Sequence, residues 1–299
     1  MSLVLGTLNF DYNYVSEKFN QEKINELLDI CLENDIKYID TAIYYKNTES
    51  LLGNYPHLSK FKLTSKANPW KNNDFSSNEY GGLSFDNIIN QWNISSKNLK
   101  VDCIDTYYIH AWDYITDINE TCKAFNQLYN ENKIKNFGIS NININQIQNI
   151  LQCCERNNYN KPNIYQGMYN IYCRKIEEIF PLLKENNIKF ECYNPLAGGI
   201  LTGKYYNNNS LNFNCRFSQN DIYKSIFWNE NVIKYTKDLC PKLSINWLYD
   251  KCDKIIIGVS SKKQLIDTIN SFKQNTNDEN KIIEDFYNNT KEYQPNYYY

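Results

Sequence analysis

Three polar side chains follow short apolar segments of the sequence, and together they are suited to proton transfer. Asp40 ends the segment 36–40 and is followed by two tyrosines, Lys66 ends the alternating segment 61–66, and His110 follows the apolar run 103–109. A phenol has a pKa of about 10, so it needs a neighbouring cation to exchange protons near neutrality. A lysine ammonium would supply that cation, a carboxylate would keep it charged and in place, and an imidazole would hydrogen-bond a substrate oxygen.

This combination predicts the reduction of a carbonyl group. A phenol, Tyr44 or Tyr45, would protonate the carbonyl oxygen as hydride reaches the carbon, with Lys66 and Asp40 assisting and His110 orienting the carbonyl. Each residue alone has an ordinary explanation as a turn, packing, solvated or core residue, and the chain holds 26 tyrosines. Their occurrence at three successive strand ends favours a site, but the residues alone do not decide between the two tyrosines.

The order of segments predicts the fold. Eight apolar or alternating segments are nearly all followed by amphipathic helical patterns, as in a parallel sheet. The eight predicted strands are 3–6, 36–40, 61–66, 103–109, 135–139, 163–165, 188–193 and 255–257. Eight such units in 299 residues fit an α/β fold of one domain, a closed (β/α)8 TIM barrel over 1–299, with the site at the C-terminal ends of the strands.

Composition excludes several function classes. A net charge of -2 argues against a nucleic-acid partner or an anionic membrane surface, and no apolar run is long enough to span a membrane. The start of the chain lacks a secretory signal pattern. Ten scattered cysteines without C-x-x-C, beside two histidines, argue against a metal site and for reduced thiols in a cytoplasmic protein.

A second group of polar residues is suited to a nucleotide cofactor. Ser140, Asn141 and Gln166 follow strands five and six and offer donors and acceptors to a carboxamide, while Tyr193 would stack on a flat ring or else pack in the core. The dinucleotide fingerprint G-x-G-x-x-G does not follow any predicted strand.

Two later stretches are suited to phosphate. The turn 195–199 would bring backbone close to a pyrophosphate, with Lys204 adding charge, although a mobile turn is the alternative. Ser261 and Gln264 have capping-box spacing, and the helix start with two lysines would attract a 2′-phosphate, which favours NADPH. Exposed lysines at a helix start are common, so an ordinary solvated helix end is the alternative.

The sequence resembles the aldo-keto reductase superfamily, most closely its aflatoxin aldehyde reductase branch. The motifs that carry the resemblance keep the family's order: Leu5-Gly6-Thr7, Asp40-Thr41-Ala42 with Tyr45, Thr64-Ser65-Lys66-Ala67-Asn68-Pro69-Trp70, Tyr108-Ile109-His110-Ala111, Gly138-Ile139-Ser140-Asn141, Tyr165-Gln166-Gly167-Met168-Tyr169-Asn170, the run from Tyr193 to Tyr205, and Pro295-Asn296-Tyr297. The resemblance implies a barrel that uses NADPH to reduce aldehydes and ketones, and it leaves a homodimer open.

The resemblance also implies residue roles. It places a catalytic tetrad on Asp40, Tyr45, Lys66 and His110, and the spacing selects Tyr45 over Tyr44. It implies nicotinamide contacts from Ser140, Asn141, Gln166 and Tyr193. It implies phosphate and adenosine contacts from Leu196, Gly198, Lys204, Arg216, Gly258, Ser260 and Gln264.

The candidate substrate-binding residues are aromatic, and two positions differ from the family's acid-aldehyde reductases. Trp70, Trp112, Phe227 and Trp228 suggest an apolar or ring-bearing substrate. Those relatives carry arginines where this chain has Ile226 and Tyr299, which predicts a weaker preference for carboxylate-bearing substrates. The family's late Gln-Leu-x-x-Asn motif has Thr268 in place of asparagine.

Two other functions remain open at this point. A cofactor-sensing regulatory subunit with little turnover would keep the same residues. A barrel hydrolase ranks last, because no metal set or nucleophile elbow is present.

Overall fold

The chain forms a closed barrel of eight parallel strands that pair in sequence order, with β8 completing the ring against β1. This computed structural model describes residues 1–10, 19–71, 79–206, 216–272 and 280–295. The strands are β1 Ser2–Gly6, β2 Tyr38–Asp40, β3 Lys62–Ala67, β4 Ile104–Ile109, β5 Ile134–Ser140, β6 Ile164–Met168, β7 Lys189–Tyr193 and β8 Lys254–Gly258. The predicted (β/α)8 barrel is therefore confirmed.

Helices connect the strands. In chain order they are α1 Gln21–Glu33, α2 Thr48–Gly53, α3 Phe85–Leu99, α4 Ile118–Asn130, α5 Ile144–Arg156, α6 Phe180–Glu185, α7 Arg216–Gln219, α8 Asp221–Phe227, α9 Glu230–Ile233, α10 Pro241–Asn246, α11 Lys262–Phe272 and α12 Asn280–Thr290. Side-chain caps begin several of them: Asn20 accepts from the Lys23 backbone, Asp117 from that of Asn119, and Asn143 forms a capping box with Gln146.

Some boundaries differ from the sequence prediction. The strand predicted at 163–165 runs on to Met168, so Gln166 lies inside β6 and not after it. Pro181 lies in the first turn of α6, where its missing N–H costs no hydrogen bond. α10 likewise begins at a proline, Pro241.

The main apolar core lies between the barrel and its helices. It includes the stacked rings of Phe125 from α4 and Phe137 from β5, whose centroids are 4.3 Å apart. A second cluster packs the segment after β7 onto the end of β6 and onto α12. Within the described ranges, no helix combines the length and apolar character needed to cross a membrane.

Glu49 of α2 is a buried carboxyl in the layer between barrel and helices. Ser65 Oγ donates to it at 2.6 Å and Asn98 Nδ2 at 3.4 Å. Burial raises its pKa, more than these hydrogen bonds and the Lys66 charge lower it. The unfolded chain therefore loses this proton at a lower pH than the folded chain does, and stability falls as pH rises above about 4.3.

We expect Glu49→Gln to remove this loss. The difference in melting temperature, variant minus parent, should be larger at pH 8 than at pH 5. Thermal unfolding of both proteins at the two pH values would measure it. Asp35→Asn, at an exposed carboxyl, is the control. A relative melting temperature of Glu49→Gln that does not change with pH would contradict the expectation.

Candidate active site

A buried ion pair lies at the carboxyl end of the barrel, between β2 and β3. The Lys66 ammonium donates to both carboxylate oxygens of Asp40, at 2.6 and 2.8 Å, and to the Thr41 carbonyl at 2.9 Å. Both side chains are almost inaccessible to solvent, at 1% and 6% exposure. All three N–H donors of the ammonium are used in hydrogen bonds to β2 and the residue that follows it.

Two further side chains hold the Asp40 carboxylate. The Thr64 hydroxyl donates to Oδ1 at 2.8 Å, and the Gln166 amide donates to the same oxygen at 2.9 Å. The sequence contained a signal for Thr64, which is two residues before Lys66 and so faces the same side of β3. The Gln166 contact crosses the barrel from β6, and sequence analysis did not predict it.

Tyr45 and His110 meet beside this pair. The Lys66 ammonium lies 5.5 Å from the centre of the Tyr45 ring, and the Tyr45 and His110 rings meet edge-on with centroids 6.0 Å apart. Burial, and secondarily the charge of Lys66, holds the pKa of His110 well below its usual range. The imidazole is therefore neutral at physiological pH. Its Nδ1 has no partner among the described residues.

The residues predicted to hold a carboxamide are clustered around His110 and Gln166. Asn141, in the left-handed conformation at φ 54°, donates from Nδ2 to the His110 carbonyl at 2.9 Å. Its Oδ1 accepts from the Tyr193 hydroxyl at 2.7 Å, and the Ser140 hydroxyl donates to the Gln166 carbonyl at 2.9 Å. The side-chain amide of Asn141 has one further donor position on its nitrogen and one further acceptor position on its oxygen.

The turn after β7 has an unusual backbone. Ala197, Gly198 and Gly199 all have positive φ, and the Gly198 N–H donates to the Asn194 side chain at 3.0 Å. The N–H groups of Ala197 and Gly199 are also bonded within the turn. Positive charge there comes from Lys204, whose Nζ would lie 3.1 Å from a Cβ at position 199. Leu196 is half-buried against the main core.

The turn after β8 differs from the predicted capping box by one residue. Ser261 Oγ accepts from the Gln264 N–H at 3.2 Å, as predicted, but the Gln264 side chain accepts from the Ser260 N–H and hydroxyl at 2.9 and 2.8 Å. Gly258 is exposed, and Lys262 forms an ion pair with Glu26 of α1 at 2.5 Å. The side chain of Arg216 lies outside the described residues.

The predicted aromatic substrate residues separate into two groups. The Trp70 ring lies 5.4 Å from both the Tyr44 and His110 rings, so it adjoins His110, and Trp112 packs partly buried on the main core. Phe227 is buried beside Tyr223, with ring centroids 4.5 Å apart. Trp228 packs on Tyr205 and Phe217, so both residues belong to the second apolar cluster.

Asp113, which sequence analysis did not single out, joins the loops after β3 and β4. Its carboxylate accepts from the backbone N–H groups of Gly81, Leu83, Ile115 and Thr116 and from the Thr116 hydroxyl, at 2.8 to 3.2 Å. The loop after β3 carries Trp70 and the loop after β4 carries Trp112. This one buried carboxylate therefore fixes the relative position of two predicted substrate residues.

The fold and site together define a class of protein. It is a (β/α)8 barrel with buried polar side chains gathered at the carboxyl ends of the strands, where enzymes of this architecture act. The sequence model of the Aldo/keto reductase family matches residues 2–288. The chain belongs to this family, as its motifs predicted, and is an oxidoreductase.

Individual relatives agree with the family. The chain is 32% identical over 270 residues to human aflatoxin B1 aldehyde reductase member 4, which covers 78% of each chain. It is 31% identical over 268 residues to human aldo-keto reductase family 7 member A3, again with 78% of each chain covered. The structure of aldo-keto reductase AKR11C1 from Bacillus halodurans, in its holo form, matches with a TM-score of 0.71 over 95% of this chain and 91% of that one. At 21% identity, that match shows the fold alone.

Proposed function

We propose that this protein reduces aldehydes and ketones to alcohols with NADPH, and that Tyr45 is the proton donor. The observation that carries the proposal is the buried Lys66–Asp40 pair with the Tyr45 ring 5.5 Å from the ammonium. A cation held this close stabilises a phenolate, so it makes the phenol a stronger acid. Neutral His110 beside it is suited to donating a hydrogen bond to a carbonyl oxygen and so orienting the substrate.

The residues present fit a nicotinamide nucleotide, which supplies hydride when bound. Asn141 and Gln166 offer amide groups, with Tyr193 beside them, and these suit a carboxamide and a flat ring. Lys204 lies over the bare backbone of Gly199, which suits an anionic phosphate. Lys263 and the start of α11 support NADPH over NADH, whereas Lys262 already has Glu26 as its partner.

The test is an assay of NADPH oxidation with a panel of aldehydes and ketones, with NADH run in parallel. The proposal expects turnover of several aldehydes and a higher kcat/KM for NADPH than for NADH. Cofactor binding should be measured separately by fluorescence titration. Binding without turnover of any panel member would overturn the reductase proposal in favour of a cofactor-binding regulatory role, and equal use of both nucleotides would overturn the NADPH preference.

The substrate panel should include one acid-bearing member. Ile226, on α8, is partly buried against the second apolar cluster and carries no charge to pair with a carboxylate. We therefore expect a higher kcat/KM for a neutral aromatic aldehyde than for succinic semialdehyde at equal ionic strength. Ile226→Arg should narrow the difference. A strong preference of the parent chain for the acid would contradict this expectation.

A further inference from the structure

The interior of the barrel holds a second ion pair, between β7 and β8, whose carboxylate is buried. Lys254 of β8 donates to Glu191 of β7 at 2.6 Å, and Glu191 is 2% exposed. The Tyr108 hydroxyl, reaching across from β4, donates to the other oxygen of Glu191 at 2.7 Å. Interiors of such barrels are usually filled by branched apolar side chains, so three polar groups here need an explanation.

Stability alone does not explain them. Removing a carboxylate and an ammonium from water costs about as much as their attraction returns, and apolar replacements of such pairs are often neutral or stabilising. A buried pair of this kind is better explained by what it orients. Here the side chain that it orients is Tyr108.

The Tyr108 ring lies directly beside the catalytic candidates. Strand register places Lys66 next to Tyr108, and Tyr108 next to Gly138. The Lys66 ammonium is 5.6 Å from the centre of the Tyr108 ring and 5.5 Å from that of Tyr45, so it lies close to both rings. Both distances are within the range of cation–π attraction.

Gly138 makes this placement of the ring possible. A Cβ at position 138 would overlap three atoms of the Tyr108 ring. The ring is fully buried, and its hydroxyl is held by Glu191 at the far side of the barrel. Tyr108 is thus fixed at both ends, by Gly138 along its ring and by the Glu191–Lys254 pair at its hydroxyl.

We propose that Tyr108 is a positioning residue for Lys66, and that the Glu191–Lys254 pair exists to hold Tyr108. This inference rests on the proposed function, because it assigns Lys66 the task of making Tyr45 acidic. Asp40 holds the ammonium through two hydrogen bonds, and the Tyr108 ring keeps it close to Tyr45 and out of water. Loosening the ammonium would weaken its effect on the phenol.

The first experiment follows reduction as a function of pH in Tyr108→Leu. Reduction needs protonated Tyr45, so the rate falls as pH rises through the pKa of that phenol. A less well placed Lys66 lowers this pKa less. The alkaline limb should therefore move to higher pH, and kcat on the plateau should fall by about tenfold to a hundredfold, the order that misplacing a catalytic group costs. An alkaline limb at the parental pH would overturn the proposal.

The second experiment does not depend on turnover. The Lys66 ammonium uses all three donors in buried hydrogen bonds, so its ¹⁵N-bound protons should exchange slowly and be visible by NMR of lysine-labelled protein. The signal is assigned to Lys66 by its absence from the spectrum of Lys66→Met. We expect the signal to weaken or vanish in Tyr108→Leu and to weaken less in Tyr108→Phe, which keeps the ring but loses the hydroxyl that Glu191 holds. An unchanged signal in Tyr108→Leu would overturn the proposal.

Tyr107→Leu is the matched control. Tyr107 is the next residue of β4, equally buried, but its ring lies among the outer core with its centroid 5.6 Å from that of Phe125. It should lower the melting temperature without moving the alkaline limb or the Lys66 signal. A shift in this variant equal to that of Tyr108→Leu would mean that any buried ring of β4 has the same effect, and would also overturn the proposal.

A double variant covers the case in which Tyr108→Leu does not fold. Glu191→Leu with Lys254→Met removes the ion pair as a unit and leaves no buried charge unpaired. Tyr108 keeps its ring but loses the acceptor for its hydroxyl. The alkaline limb should therefore move to higher pH and the Lys66 NMR signal should weaken, each by less than in Tyr108→Leu. No shift in either would overturn the role of the pair. If the parent chain shows no turnover while the Lys66 signal depends on Tyr108, the proposed function fails and the positioning role stands.

Discussion

Replacing Tyr45 with phenylalanine is expected to remove most carbonyl reduction while leaving NADPH binding nearly unchanged. The substitution keeps the ring that meets His110 at 6.0 Å and removes only the hydroxyl that would give up the proton. General acid catalysis contributes roughly 10²–10⁴-fold to rates, so kcat should fall by that order. The measurements are kcat at saturating aldehyde and the Kd for NADPH from fluorescence titration.

The matched control for this prediction is Tyr44→Phe. Tyr44 precedes the proposed donor, and its ring packs on Trp70 at 5.4 Å, so the variant keeps the packing and loses a different hydroxyl. Most turnover should remain. Full activity in Tyr45→Phe would refute the donor assignment. Loss of activity in Tyr44→Phe but not in Tyr45→Phe would transfer the role to the neighbouring tyrosine.

The meeting of Asp40, Lys66 and His110 was predictable because of the fold. In a closed parallel barrel, the carboxyl ends of successive strands lie side by side, so three polar residues 26 and 44 positions apart in sequence share one site. Recognising eight strands was enough to place them together. The choice of Tyr45 over Tyr44 needed the family resemblance, because both tyrosines follow the same strand and both lie near His110.

Contacts that cross the barrel were not predictable from the sequence. Gln166 reaches Asp40 over a separation of 126 residues, and Tyr108 reaches Glu191 over 83. Such contacts depend on the register of strands that are not neighbours in the ring and on side-chain rotamers, and a strand pattern specifies neither. A glutamate between Phe190 and Cys192 of β7 was the available signal, since a charge inside a buried strand requires a partner.

The aromatic segment after β7 shows a different limit. The composition of this segment favoured substrate contacts for Phe227 and Trp228. In the described residues, however, these rings pack with Tyr223, Tyr205 and Phe217. An aromatic side chain suits a core and a binding pocket equally well, so composition does not distinguish them. Trp70 lies close to His110, and Asp113 joins the loop after β3 to the loop after β4; both contacts are tertiary features that composition does not specify.

Breaking the Lys66–Asp40 pair from either side should cost both stability and activity. Asp40→Leu would remove two of the three acceptors of the buried Lys66 ammonium and leave the Thr41 carbonyl. Lys66→Met would leave a buried carboxylate held by Thr64 and Gln166. Removing one partner of a buried pair typically costs about 3–5 kcal/mol, because the other charge stays out of water without compensation. Thermal and urea unfolding of each variant would measure this loss.

The double variant Asp40→Leu with Lys66→Met separates the two consequences. It leaves no unpaired charge, so its loss of stability should be smaller than the sum of the two single losses. The expected interaction energy is about 0.5–3 kcal/mol. Its turnover should remain as low as that of Lys66→Met, because the ammonium that makes Tyr45 acidic is still absent. Recovery of stability without recovery of kcat would show that the charge at position 66 serves the chemistry and not the fold. Recovery of both would contradict the proposed role of Lys66, and additive losses of stability would mean that the two side chains are not energetically coupled.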